Sequence, residues 1–349
     1  MDKNCRTDGE DMKRKKIAII GSGISGLTCA YRLAPHHDIT VFEAEGYIGG
    51  HTHTVSVEKE GETADIDTGF IVFNDRTYPN FIKLMDSLGV AYQPTEMSFS
   101  VKNETIDLEY NGNSFNTLFA QRKNLIRPHF YRMVSDIVRF NRDVRAAANN
   151  DSKRTIGDFL ASKNYSELFT ENYLLPMISA IWSMGTQNCM DFPLQFFVRF
   201  FDNHGLLDIS NRPQWYTIIG GSSSYIAPLC KDFIDLIRVS CPVVLVERLE
   251  DRVNIVTEKE STAFDQVIFS CHGDQALKLL ARPTIEEESV LREYRTSSNH
   301  VVLHTDTRFL PKRRLAWASW NYNMVDAARE QTTLTYNMNI LQRLSKKHT

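Results

Sequence analysis

Ile17-Ala18-Ile19-Ile20-Gly21-Ser22-Gly23-Ile24-Ser25-Gly26 is the stretch on which the fold turns. Four apolar residues bounded by glycine read as a strand buried on both faces. Ile24, Leu27, Ala30 and Leu33 then repeat at helical spacing, and Ile39-Thr40-Val41-Phe42-Glu43 reads as a second strand. Strand, turn, helix and strand in this order predict a parallel sheet with right-handed crossovers. The glycines fit G-x-G-x-x-G. Gly21 allows the tight turn, Gly23 lets the backbone approach a diphosphate, and Gly26 permits close packing of helix on sheet. A diphosphate there meets unpaired N–H groups and the positive end of the helix dipole. Glu43 closes the second strand 22 residues after Gly21. A carboxylate at that place accepts hydrogen bonds from ribose hydroxyls and repels a 2′-phosphate. The pattern predicts an adenosine nucleotide of the FAD or NAD kind rather than NADP. The plain alternative is a glycine turn with a surface glutamate.

Outward from this unit, a polar tail over residues 1–15 leads into the basic run Lys13-Arg14-Lys15-Lys16, read as a charged lead-in to a strand. Residues 54–66 alternate and break at Gly61, which predicts a hairpin. Tyr78 to Leu88 reads as a helix with Gly89 past its end. Met97–Val101 and Thr105–Tyr110 read as strands joined near Lys102-Asn103-Glu104. Residues 115–205 are helical and aromatic-rich, with a loop at Asn149-Asn150-Asp151-Ser152. Strand character returns at Val243–Leu249, Val253–Thr257, Asp265–Ser270, Val301–His304, Leu315–Trp320 and Thr332–Tyr336, with a helix over 274–281. Sheet sequence towards both ends predicts an α/β fold. Its Rossmann-like nucleotide domain is discontinuous, over 16–75 and 215–285. A substrate or cap domain of helices plus a mixed or antiparallel sheet takes 76–214 and 286–349.

The composition is that of a globular protein, with 42% hydrophobic and 24% charged residues among 349. The net charge of −3 gives no bulk drive towards nucleic acid. The six cysteines form no Cys-x-x-Cys pair and read as reduced, mostly buried thiols, which points to the cytoplasm. The N-terminus lacks the apolar core of a signal peptide, and no stretch of about 18 uncharged apolar residues predicts an integral membrane segment.

Glu43-Ala44-Glu45-Gly46-Tyr47-Ile48-Gly49-Gly50-His51 places a glycine pair just beyond the ribose carboxylate, and Asp67-Thr68-Gly69-Phe70 follows a short hairpin. Here the chain resembles the flavin-containing amine oxidase and phytoene desaturase superfamily, which selects FAD over NAD. Gly49-Gly50-His51-Thr52-His53-Thr54, residues 67–74 and residues 270–277 narrow the resemblance. They resemble a bacterial subgroup of NAD/FAD-binding, amine-oxidase-like proteins often associated with cyclopropane fatty acid synthases. The similarity runs from about residue 15 to 345. It implies that the cofactor is held by Gly21, Ser22, Gly23, Ile24, Ser25 and Gly26, by Glu43 and Ala44, and by Gly49, Gly50 and His51. It adds Thr68 and Gly69, Val243 in the strand beside the adenine, and Ser270 beside the diphosphate. Gly220-Gly221 resembles the family's glycine turn before the helix that leads to the adenine strand. Most amine oxidases have Arg where this chain has His51.

The resemblance implies an FAD-dependent oxidoreductase taking a hydride from an apolar small-molecule substrate, a lipid or an amine. No acid–base pair stands out and no catalytic residue is assigned. Lys312 sits in a surface-like Pro-Lys-Arg-Arg run. Relatives close the flavin site with a glycine-rich C-terminal segment, whereas all 17 glycines here lie at or before Gly273, so an incomplete flavin half-site is expected. Two other readings follow: a shortened relative that binds an adenine nucleotide without redox catalysis, or an NAD-dependent oxidoreductase. His51 and His53 lack a third ligand nearby, so no metal is expected. Cys271-His272 reads as a strand end rather than a nucleophile and base. Phe192, Phe196 and Phe200 repeat as a core helix face, and Arg122, Lys123 and Arg127 as a solvated helix face, with peripheral membrane contact as the other reading. The oligomeric state is left open.

Overall fold

The computed structural model describes residues 13–59, 61–148, 153–183, 185–208, 210–325 and 332–344. Most of the expected tail and the Asn149–Ser152 loop lie outside the described residues. The chain divides into two compact units, residues 1–54, 67–70 and 222–300 in the first, and 55–66, 71–221 and 301–349 in the second.

The first unit starts with β1 (Lys16–Ile20), α1 (Ile24–Leu33) and β2 (Asp38–Phe42). Ile17, Ala18, Ile19 and Ile20 are all buried, as a strand covered on both faces requires. β1 pairs in parallel with β2 on one side and with Gln266–Phe269 on the other; Ile237–Arg238 extends the sheet beyond β2. α1 lays Gly26, Leu27 and Ala30 inward; of the stripe read from the spacing, Leu27 and Ala30 are buried, Leu33 is half-buried and Ile24 is exposed. An antiparallel sheet of Val243–Arg248, Val253–Thr257 and Ser261–Phe264 completes the unit. Its Val243, Val246, Ile255 and Phe264 pack with Ala18, Ile20 and Phe42 into one apolar cluster.

The second unit combines helices with a mixed sheet in the order Thr332–Tyr336, Trp320–Met324, Phe99–Asn103, Leu108–Asn111. One face of that sheet, with Val101, Leu108, Tyr110, Tyr322 and Met324, joins a core of helix residues that includes Phe130, Phe140, Phe159, Phe169, Phe197 and Phe201. The α/β class with a second unit of helices and a mixed sheet is therefore the architecture observed. The helix Pro79–Leu88 ends at Gly89 with φ of 67°, the left-handed stop expected there.

Several elements differ from the sequence reading. Lys102 and Asn103 belong to a strand rather than to the connection, because Phe99–Asn103 is paired on both sides. The turn instead falls after them, with Asp107 left-handed at φ of 47°. Val301–His304 is exposed and belongs to no strand, and Leu315–Trp320 is mostly a turn before the strand that starts at Trp320. Branched residues favour extended backbone, but only a neighbour's N–H and C=O groups make a strand. In the helix Leu194–Asn203 the buried positions are Leu194, Phe197, Val198 and Phe201, while Phe196 is 54% exposed. The core face is thus one residue round from the Phe192, Phe196, Phe200 series.

Candidate functional site

The glycine turn is built where β1 gives way to α1. Gly21 has φ of 105°, and a Cβ there would lie 2.7 Å from the Ser270 carbonyl oxygen. A Cβ at Gly26 would lie 1.9 Å from the Gly21 oxygen, so helix and turn touch through bare backbone. Gly23 is different: it caps α1 with φ of −68°, and a Cβ would meet nothing within 4 Å. The first turn of α1 has no side-chain cap. Its N–H groups thus face an open side of the turn, which is the arrangement a bound anion uses. Ile24 and Ser25, in that first turn, are exposed.

Glu43 follows β2 and is only 9% exposed. Its Oε2 accepts from the Ser22 N–H at 2.9 Å and the Ser22 hydroxyl at 2.6 Å, and its Oε1 accepts from the Glu45 N–H at 2.9 Å. A carboxylate has about four acceptor positions, so these three bonds leave capacity for a ribose hydroxyl. The Ser22 hydroxyl also accepts from the Gly49 N–H at 3.3 Å. One side chain thereby ties the glycine turn, the Glu43 carboxylate and the Gly49-Gly50 loop together. Gly23 and Gly49 form a parallel bridge, and a Cβ on Gly50 would lie 3.1 Å from the Gly23 Cα. Ala44 is exposed beside Glu43.

The remaining expected residues fall in the same unit. Thr68 and Gly69 run along His51–His53: the Thr68 N–H donates to the His53 carbonyl at 2.9 Å and the Phe70 N–H to the His51 carbonyl at 2.8 Å. The Thr68 hydroxyl also bonds the His53 ring at 2.7 Å. His51 is exposed, with its ring 5.4 Å from that of His272. The Cys241 N–H donates to the Glu43 carbonyl at 2.8 Å, two residues before Val243. Ser270 ends the strand beside β1, and its buried hydroxyl oxygen has no hydrogen-bond partner among the described residues. An open cradle at Gly23, a buried carboxylate with spare acceptor capacity and an orphaned hydroxyl fit the adenosine diphosphate part of FAD.

Sequence reasoning missed what holds this loop in place. Asp67 is buried, and its Oδ1 accepts from the Thr54 hydroxyl at 2.7 Å, the Ser222 N–H at 2.8 Å and the Ser222 hydroxyl at 2.9 Å. The Thr52 hydroxyl bonds the buried Tyr225 hydroxyl, whose pKa burial pushes up to about 12 against the pull of that bond. The signal was a strand-end Asp, one of whose partners, Thr54, lies 13 residues away and the other, Ser222, 155 residues away. In the second unit Lys102 is buried, 5% exposed, and pairs with Glu104 at 2.8 Å.

The model of the flavin containing amine oxidoreductase family matches residues 24–339. Mitochondrial protoporphyrinogen oxidase of Nicotiana tabacum is 51% identical over 51 residues, which are 14% of this chain and 10% of that protein. Among solved structures, cyclohexylamine oxidase from Brevibacterium oxydans superposes with a TM-score of 0.60 at 19% identity, covering 79% of this chain and 62% of that one. A fatty acid isomerase from P. acnes, described as producing CLA, gives 0.56 at 17% identity, covering 80% and 63%. The chain thus spans under two thirds of the length of these proteins, and the structural likeness speaks for the fold. With the family model covering most of its length, the chain belongs to the flavin containing amine oxidoreductase family.

Proposed function

We propose that this chain is an FAD-dependent oxidoreductase that accepts a hydride from an apolar substrate, a lipid or an amine. The observation that carries the reading is the joined set of Ser22, Glu43 and Gly49 beside an open helix N-terminus. When bound, FAD supplies the two-electron acceptor, taking a hydride from a substrate C–H bond and yielding the electrons to oxygen or another acceptor. The chain's own part is placement. Glu43 accepts the ribose hydroxyls, and the N–H groups at Gly23, Ile24 and Ser25 hold the diphosphate. Ser270 lines the diphosphate, Val243 borders the adenine, and Thr68, Gly69 and His51 border the loop. The second unit, to which the helical stretch of residues 76–214 belongs, forms the substrate side, which is rich in aromatic residues. A fatty acid isomerase of similar fold supports an apolar substrate. A cytoplasmic location fits the unpaired cysteines.

The test is spectroscopic. The purified protein, alone or after addition of FAD, should show the absorption bands of bound flavin and lose them on reduction by dithionite. Glu43→Gln should weaken FAD binding roughly tenfold through the lost charged acceptor. A colourless protein that binds ADP but not FAD would sink the oxidoreductase reading and leave only the nucleotide pocket.

A further inference from the structure

Between Tyr110 and Ser135 the chain carries four Lys or Arg residues and no Asp or Glu. The structure gathers this stretch into one patch of the second unit: a short helix Phe115–Leu118, a 3₁₀ helix Arg122–Ile126 and the start of the helix Pro128–Ala148. Arg122 and Lys123 lie on that 3₁₀ helix, the first exposed and the second half-buried. The patch is apolar at its tips. Ile126 is 84% exposed and Phe115 73% exposed, and Leu125 and Tyr131 are exposed too. They form one surface: the buried Phe119 ring lies 4.8 Å from Phe115 and 5.6 Å from Tyr131, and the Tyr131 hydroxyl donates to the Leu125 carbonyl at 2.9 Å.

The charges lie among these apolar tips. Lys123 is answered by Asp107. Arg122 instead bonds the Asn116 side-chain oxygen at 2.7 Å and the Phe119 carbonyl at 3.0 Å, and Arg127 bonds the Asn124 oxygen at 3.2 Å. These partners are neutral, so both positive charges stand uncompensated by them. Arg132 is exposed on the neighbouring helical turn. The flanking carboxylates, Glu109 and Asp136, are buried and engaged with Arg313 and Arg139. Exposed apolar tips among uncompensated arginines complement one kind of surface, an anionic lipid bilayer. There the tips enter the acyl boundary while the guanidinium groups meet phosphates. No helix among the described residues is long and apolar enough to cross a membrane.

We propose that the patch around Phe115, Leu125, Ile126 and Tyr131 docks this protein peripherally on anionic membranes. The docking does not depend on the bound cofactor, so it is tested apart from redox chemistry. The full chain is mixed with vesicles of phosphatidylcholine containing phosphatidylglycerol, or of phosphatidylcholine alone, and sedimented. Binding should favour the anionic vesicles and fall as salt rises. Arg132→Ala should reduce it roughly fivefold, and Ile126→Asp should abolish it. Both residues are exposed, so circular dichroism should be unchanged. Failure of the folded wild type to sediment with anionic vesicles would overturn the proposal. So would binding that Ile126→Asp leaves intact, or a patch shown by sedimentation velocity to be covered by a second copy of the chain.

Discussion

Gly21 and Gly23 stand two residues apart and predict opposite outcomes. Gly21→Ala must hold a side chain at φ of 105° and press on the Ser270 oxygen, a strain on the order of 1–3 kcal/mol. Its denaturation midpoint should drop. Gly23→Val has an ordinary φ and open space, so the fold should keep its midpoint while ADP and FAD affinity collapses. Calorimetry on both variants separates the cases, and undiminished ADP binding by Gly23→Val would refute the placement of the diphosphate. The thiols give a pH-dependent test. Burial pushes Cys189 and Cys230 up to about 11. The folded form favours the neutral thiol, so these groups withdraw stability once pH rises above the ordinary thiol range. At pH near 8 iodoacetamide should leave both unlabelled until urea unfolds the chain, as mass spectrometry would show. The glycine spacing was legible in the sequence because the strand, turn and helix it joins follow one another directly along the chain. The orphaned hydroxyl of Ser270 was not, since burial is a property of its neighbours.

Elements depend on partners that spacing does not name. β1 could be read from four apolar residues, because a strand between two parallel neighbours needs apolar side chains on both faces. The strand Phe99–Asn103 was misread at its end, where Lys102 and Asn103 look like turn residues but are held by pairing on both sides. Val301–His304 shows the converse, with strand-like residues and no ladder. The loop Gly49–His53 is held at the element scale by Asp67. Asp67→Ala removes the acceptor for Thr54 and for both Ser222 donors, leaving buried donors unmet at a cost of about 2 kcal/mol or more. Asp67→Asn keeps a side-chain oxygen there and should lose less. Urea titration measures both. A midpoint for Asp67→Ala equal to wild type would show that the three bonds contribute nothing net.

At the scale of the molecule, the first unit is assembled from three separated stretches, with residues 222–300 supplying the neighbour of β1 and the partner of Asp67. A chain of residues 1–221 should accordingly fail to bind ADP although it contains every glycine of the turn. Adding residues 222–300 in trans should restore little, because the lost closure must be made between separate molecules. Calorimetric ADP binding by the short chain at full affinity would contradict this. By itself the sequence determined the α/β class and the glycine turn, because these rest on local periodicity and on residue types at short spacing, and the resemblance of its motifs pointed to the family. Only the tertiary structure decided that Ser22 joins Glu43 to Gly49, that Asp67 locks the loop to Ser222, and that Phe115 and Ile126 are left facing outward. Hydrogen bonds and burial are settled between residues far apart in the chain, and no local spacing encodes which of them meet.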